Sequence, residues 1–270
     1  MGAIGGCRDE DTKRYDRDSD PGTDGMTDQR HEREIDANIE AWRAKPLLRE
    51  IYARFYDRIL EQIDEETDGA IVEIGSGIGN LKERLPAAIS SDLYLNGWLD
   101  LVCSGYALPL GDHAVSNLIL FDVFHHLERP AAFFREAERV LAPRGRLILF
   151  EPYISMASWP AYGLFHPEDV AISAPIDLSE EVPQDRYYAA QGNATRMFFR
   201  GESEAWARRF RIRHAEAFAA FHYLLSGGFS KPALYPVRLS RLIRALDEQL
   251  SRWPGVMGGR SLVVLEPITT

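Results

Sequence analysis

Cysteine is almost missing from this chain, with only Cys7 and Cys103 among 270 residues. Two thiols, one in a polar leader and one in an apolar stretch, make no disulfide framework, so a reduced, cytoplasmic setting is the default expectation. Long apolar runs are missing too: nothing approaches the roughly 18–20 residues that a membrane helix needs. The opening MGAIGGCRDED has no apolar signal core, and Gly6 stands where a myristoylation signal wants Ser or Thr. Basic charge is in deficit, 31 Lys and Arg against 41 Asp and Glu, for a net charge of −10. That balance disfavours nucleic acid as the main partner, because phosphate binding needs a basic surface. The stretch RRFRIRH reads instead as a half-buried strand, Phe210 and Ile212 alternating with Arg211 and Arg213. His, Cys and acidic residues form no recognisable metal-ligand set.

What is present falls into segments. Residues 1–33 are crowded with Asp, Arg and Gly and are predicted to be a disordered leader, since they cannot bury enough surface to offset their ordering entropy. Residues 34–270 are expected to form one domain. In LLREIYARFYDRILEQI, apolar residues from Leu48 to Ile63 recur at helical spacing, and Pro46 suits the first turn. Residues 34–68 are therefore expected to be a helical cover for the domain that follows; the lesser alternative is that Trp42 and Tyr52 reach over a ligand. Beyond Gly69, AIVEIG, AISSDL, DLVCSG, SNLILFD and RLILFEP read as strands; NLKERL and PAAFFREAERVL are helices within that series. Apolar strands separated by helices imply a parallel sheet covered on both faces, an α/β, doubly wound architecture over residues 70–152. Residues 153–205 lose the rhythm and form an insertion; residues 206–270 regain it in RFRIRHAEAF, SRLIRALDEQLSR and SLVVLEP.

The informative stretch is Ile71–Asn80, IVEIGSGIGN, where a buried strand runs into glycines at every second position. In an open α/β sheet ligands bind beyond the carboxyl ends of the strands, and glycine there permits positive φ and close backbone approach. The dinucleotide fingerprint G-x-G-x-x-G would need glycine where Asn80 stands, and no P-loop lysine follows. An NAD-dependent oxidoreductase is thereby disfavoured.

VEIGSGIGN resembles the first motif of the class I S-adenosylmethionine-dependent methyltransferases, in particular the type 11 group. SSDL, ALPLGDHAVSNLILFDVFHHL and AAFFREAERVLAPRGRLILFEP extend that resemblance in order from about Ala70 to Pro152. The resemblance implies a Rossmann-like, mostly parallel seven-stranded sheet with an antiparallel last strand, and S-adenosyl-L-methionine as cofactor. It implies that Glu73 orients the ammonium group, that Gly75, Ser76, Gly77 and Gly79 fit backbone against the amino acid and ribose, and that Asp92 accepts hydrogen bonds from the ribose hydroxyls. A carboxylate suits a diol because it offers two acceptor oxygens. Gly105, Tyr106 and Asp122 complete the expected cofactor set. The chain departs from the family pattern at Ser104-Gly105, where an acid before the L-P pair is common, and between strands two and three, where YLNGW replaces most of a helix.

Candidate catalytic residues are His125 and His126 after the fourth strand, beside Asp122, and His166 in LFHPEDV, inside the insertion. Glu168, Glu151, Tyr153, His222 and Tyr223 also lie where strand ends meet irregular segments, and no single base stands out. The insertion carries Trp159, Tyr162, Phe165, Tyr187 and Tyr188, aromatics that suit a lid over a partly apolar acceptor. The expectation is methyl transfer to a small molecule (a metabolite, sugar or lipid-linked intermediate), with no nucleic acid and no membrane span. The alternative is a binding or regulatory protein that keeps the cofactor pocket without catalysis.

Overall fold

The computed structural model describes residues 21–165, 170, 172–183 and 188–268. Helices α1 (Pro21–Ala44) and α2 (Pro46–Leu60) precede β1 (Ala70–Ile74), β2 (Ile89–Asp92), β3 (Leu101–Val102) and β4 (Val115–Phe121). Helix α3 (Pro130–Val140), β5 (Leu141–Pro152) and α4 (Trp159–Phe165) follow, then β6 (Phe210–Phe218), α5 (Phe221–Leu224), α6 (Ser240–Leu250), α7 (Pro254–Met257) and β7 (Arg260–Pro267).

The seven strands form one sheet in the order β3-β2-β1-β4-β5-β7-β6, with β7 antiparallel to both neighbours and the other pairings parallel. The strand order reverses between β1 and β4, the point where ligands collect in such sheets. This is the expected doubly wound α/β fold, and the period-2 rule explains both covers. Leu118 and Leu120 of β4, Leu147 and Leu149 of β5, and Val263 and Leu265 of β7 point into a core shared with α3. The alternate residues Ile119, Ile148, Phe150, Leu262 and Val264 point into a second core under α2, built from Leu48, Ile51, Phe55 and Ile59. Phe121 and Phe150 stack at 4.9 Å on that second face. Buried Asn117 is satisfied from the end of the cover: Asp64 N donates to its Oδ1 at 2.8 Å, and its Nδ2 donates to Asp64 O at 2.9 Å.

Two segments differ from expectation, and one follows it. Helix α1 starts at Pro21, inside the stretch predicted to be disordered. The run after Thr27 is rich in Gln, Arg and Glu, good helix formers, and Pro suits a first turn; residues 1–20 lie outside the described part. The connection between β2 and β3 is only residues 93–100 and is not helical, as the shortened YLNGW segment implied. Within the insertion, Ala194, Met197 and Phe198 pack into the core beside α3, so that part is a layer of the fold and not a lid.

Candidate active site

The glycine turn after β1 is built from left-handed backbone: Gly75, Gly77 and Gly79 have φ of 69°, 52° and 73°. A β-carbon on Gly75 would lie 2.3 Å from Val123 Cγ2, and one on Gly79 2.6 Å from Trp98 Cδ1; one on Gly77 would meet nothing within 4 Å. The turn is thus closed behind by Val123 and on its flank by Trp98, and open at Gly77.

Asp92, at the tip of β2, reaches this turn. Gly77 N donates to its Oδ2 at 3.0 Å and Leu93 N to its Oδ1 at 2.7 Å. Each oxygen keeps a second acceptor site, enough for a diol. Trp98 Nε1 donates to Gly77 O at 3.0 Å, so the short β2–β3 connection braces the turn where a helix was missing from the sequence pattern. Ser76 is buried and holds β1 to β2, its Oγ donating to Ser91 O at 3.1 Å and accepting from Ser91 N at 3.0 Å.

Glu73 is the electrostatic oddity of the turn. It is buried, and among the described residues its Oε2 has no hydrogen-bond partner. Burial pushes its carboxyl up to about 7, with Asp92 adding to the rise and a hydrogen bond from Ser76 opposing it. A buried carboxylate oxygen without a donor is costly, which makes it a receptor for a cationic or N–H-bearing group.

Glu73, Gly75, Ser76 and Gly77 line one end of a cavity of about 990 Å³, with Asp122, His125 and His126 beside them. That volume is at the upper end of small-molecule clefts, which run to about 1,000 Å³. Four segments wall the remainder: Glu34, Ala37 and Asn38 of α1; Tyr52 and Tyr56 of α2; residues 157–162; and residues 221–234. Tyr52 thus reaches the cavity as anticipated, whereas Trp42 stacks on Phe229 at 6.4 Å behind the wall.

The end of β4 gathers the ionisable groups. Glu151 Oε1 accepts from Val123 N at 2.9 Å and Phe124 N at 2.7 Å, while its Oε2 meets His125 Nδ1 at 2.7 Å. One carboxylate therefore caps the turn Phe124–His126 and orients the His125 ring. His126 Nδ1 meets Tyr188 O at 2.9 Å. Asp122 adopts φ 56° and pairs with Arg260 at the start of β7. Arg260 is fully buried, and its guanidinium lies 4.4 Å from the centre of the Tyr223 ring. Burial opposes its charge, but Asp122 and the phenols of Tyr162, Tyr223 and Tyr52 outweigh that and raise its pKa well above the ordinary value.

Of the residues singled out in the sequence, Glu73, Gly75, Ser76, Gly77, Asp122, His125 and His126 meet at this cavity. Asp92 and Gly79 lie beside it, through the Gly77 and Trp98 contacts. Gly105 and Tyr106 stand apart: Gly105 faces Ile74, Leu127 and Phe133, and the Tyr106 hydroxyl accepts from Arg129 N at 3.2 Å, with burial pushing that phenol to about 12. His166, Glu168 and Tyr187 lie outside the described residues. His222 is bound to Asp247, which also accepts from Phe221 N and His222 N, so the pair holds α5 on α6. Sequence reasoning missed Arg260 and Trp98. A lone arginine opening an otherwise apolar strand, GGRSLVVLEP, was the available signal for the first.

Residues 72–149 match the family model described as a methyltransferase domain, which bears out the resemblance read from the glycine motif. The matched span runs from β1 into β5 and covers the glycine turn, Asp92, Asp122 and both histidines. The elements that wall the far side of the cavity lie outside it. No curated protein matches the chain. Among solved structures, the chain is similar to one from the complex of the Haloferax volcanii Trm112 methyltransferase activator with a methyltransferase, at 14% identity and TM-score 0.47, covering 79% of this chain and 88% of that one. It is similar to the geranyl diphosphate C-methyltransferase of Streptomyces coelicolor A3(2), at 12% identity and TM-score 0.47, covering 80% and 76%. It is also similar to the [4+2]-cyclase SpnF, at 15% identity and TM-score 0.48, covering 80% and 82%.

Proposed function

We propose that this chain binds S-adenosyl-L-methionine at the glycine turn and transfers its methyl group to a small, largely apolar acceptor in the adjoining cavity. The observation that carries this reading is the unpartnered Oε2 of buried Glu73, set beside a glycine turn at the cavity's end. The cofactor's ammonium group supplies the donor that Glu73 lacks, directly or through the loop or water. Its ribose diol suits the remaining acceptor sites of Asp92, and Gly77 leaves space for close approach.

When bound, the cofactor supplies a methyl group on a sulfonium, with a neutral thioether as leaving group. The chain's own work is then mainly positioning. Gly75 and Gly77 fix the backbone, and Asp122, anchored by Arg260, sets the cavity floor beside them. His125, oriented by Glu151, is the base suited to an acceptor hydroxyl or protonated amine, because the carboxylate stabilises the imidazolium that forms. His126 holds the segment around Tyr188 against that edge. The acceptor reading rests on the wall, where Tyr52, Phe121, Leu224, Leu225 and Phe229 supply apolar surface.

The test is transfer of a radiolabelled methyl group from the cofactor to organic-extractable small molecules, to transfer RNA and to protein. Label in the small-molecule fraction is expected. Label confined to RNA or protein would refute the acceptor class, and tight cofactor binding with no transfer to any acceptor would favour a silent binding protein.

A further inference from the structure

We infer that the exposed face around α6 and α7 seats the protein on an anionic lipid surface, with the cavity mouth opening at that surface. Ser240 and Asp247 of α6 are buried and Ile243 packs into the core under α2, so the rotation of the helix is fixed. At 3.6 residues per turn, Leu239, Leu242 and Leu246 then form one stripe that folding leaves in water. Leu242 is 59% exposed and Leu246 52%, and Trp253 just beyond the helix is 61% exposed. A contiguous apolar stripe of this kind marks an interaction surface, unlike scattered single residues.

The stripe continues to the cavity. Leu234, 76% exposed, lines the cavity together with Leu225, whose carbonyl accepts from Leu234 N at 2.8 Å. On the other flank, Val256 O accepts from Ala157 N at 3.0 Å, which brings exposed Met156 and Trp159 alongside exposed Val256. Exposed apolar side chains therefore adjoin two separate segments that line the cavity, residues 157–162 and 221–234.

Charge selects the occupant. Residues 231–257 hold five basic and two acidic side chains, in a chain of net charge −10. Of the two acids, Asp247 is buried under the helix and Glu248 lies 3.6 Å from Arg244. Arg238, Arg241 and Arg252 are exposed beside the stripe, and among the described residues none of them is in an ion pair. Arg241 falls on the arc next to the leucines, with Arg238 just before the helix and Arg252 just after it, so the surface presents apolar residues together with arginines, the arrangement that lies in a headgroup layer. A two-fold contact between copies would set like arginines face to face, whereas an anionic bilayer matches both the charge and the apolar stripe. Among the described residues no helix is long and apolar enough to cross a membrane, so the contact is peripheral. The link to an acceptor drawn from the bilayer rests on the function proposed above; the docking itself does not.

The test is co-sedimentation of the full chain with phosphatidylcholine vesicles and with vesicles containing about one third phosphatidylglycerol. Binding at least about tenfold tighter to the anionic vesicles is expected, lost at about 1 M salt, where the screening length is only about 3 Å. Leu242→Glu/Leu246→Glu and Arg238→Glu/Arg241→Glu should each lower it at least about tenfold, with unchanged circular dichroism and unchanged S-adenosylhomocysteine binding, since all four side chains face water. Three results would overturn the inference: no sedimentation of the wild type with anionic vesicles, binding that survives both double variants, or a wild-type dimer that the leucine variant converts to a monomer without lipid being involved. Cofactor binding measured on the same samples separates failure here from failure of the methyltransferase reading.

Discussion

Arg260, the first residue of β7, donates a hydrogen bond from its guanidinium to Asp122, 138 positions earlier at the end of β4. The contact ties together the two sides of the cavity floor across the intervening strand β5. Arg260 is buried while the Asp122 side chain is one quarter exposed at the cavity, so Arg260→Met leaves a charge that water can still reach. The expected loss of unfolding free energy in urea is therefore about 1–3 kcal/mol, below the cost of stranding a fully buried charge. Asp122→Asn in the same chain should restore part of the loss, since asparagine tolerates the left-handed backbone at φ 56°. A near-neutral Arg260→Met would mean that the pair contributes little.

The glycines of the turn should separate into two kinds. In Gly75→Ala the new methyl collides with Val123 in a left-handed backbone, so a loss of about 2–4 kcal/mol is expected. Gly77→Ala meets no atom and should cost only about 1–2 kcal/mol of backbone strain. That variant should fold, yet bind S-adenosylhomocysteine at least about tenfold more weakly, because the β-carbon occupies the approach of the ligand. Urea unfolding and calorimetry on the same preparations distinguish the two effects.

Glu73 makes both stability and binding depend on pH. Its carboxyl is pushed up to about 7 from an ordinary 4.5. Between those values the folded chain keeps a proton that the unfolded chain has released, so stability of the ligand-free protein falls as pH rises through this window. Glu73→Gln should flatten that profile. Pairing with the cofactor's ammonium needs the deprotonated form, so affinity for S-adenosylhomocysteine should fall about tenfold from pH 8 to pH 6, with proton release on binding. A flat affinity profile in the wild type would remove Glu73 from the cofactor site.

Glu151→Gln tests the base. An amide can still accept from Val123 N and Phe124 N, but its N–H group facing His125 Nδ1 favours the ring tautomer with the proton on Nε2. The expected result is a kcat about 100-fold lower or less, with cofactor binding and folding intact, on an acceptor that needs a base. Equal losses in cofactor binding would assign Glu151 to structure alone.

Much of this site could be read from the chain because it follows local rules. Near-continuous apolar runs marked β1, β4 and β5, and glycine spacing located the turn that Asp92 and Trp98 now enclose. What escaped depends on partners far away in sequence. Arg260 looks like a stray charge until β7 is placed antiparallel beside β5, with Asp122 within reach. The aromatics of 153–205 suggested a lid, but composition does not say which face an aromatic meets. Tyr162 lines the cavity, whereas Phe198 of the same segment packs in the core against Phe124 and Phe134, and residues 221–234 supply a further wall. Tyr106 likewise was expected in the cofactor set, and its hydroxyl is held by Arg129 N.

The most direct test of the account is a crystal structure of the chain with S-adenosylhomocysteine. The amino-acid end is expected within hydrogen-bond reach of Glu73 and the backbone at Gly75–Gly77, the ribose hydroxyls on Asp92, and the sulfur facing the cavity between Asp122 and His125. A nucleoside bound elsewhere, or a glycine turn that stays empty at saturating ligand, would contradict it.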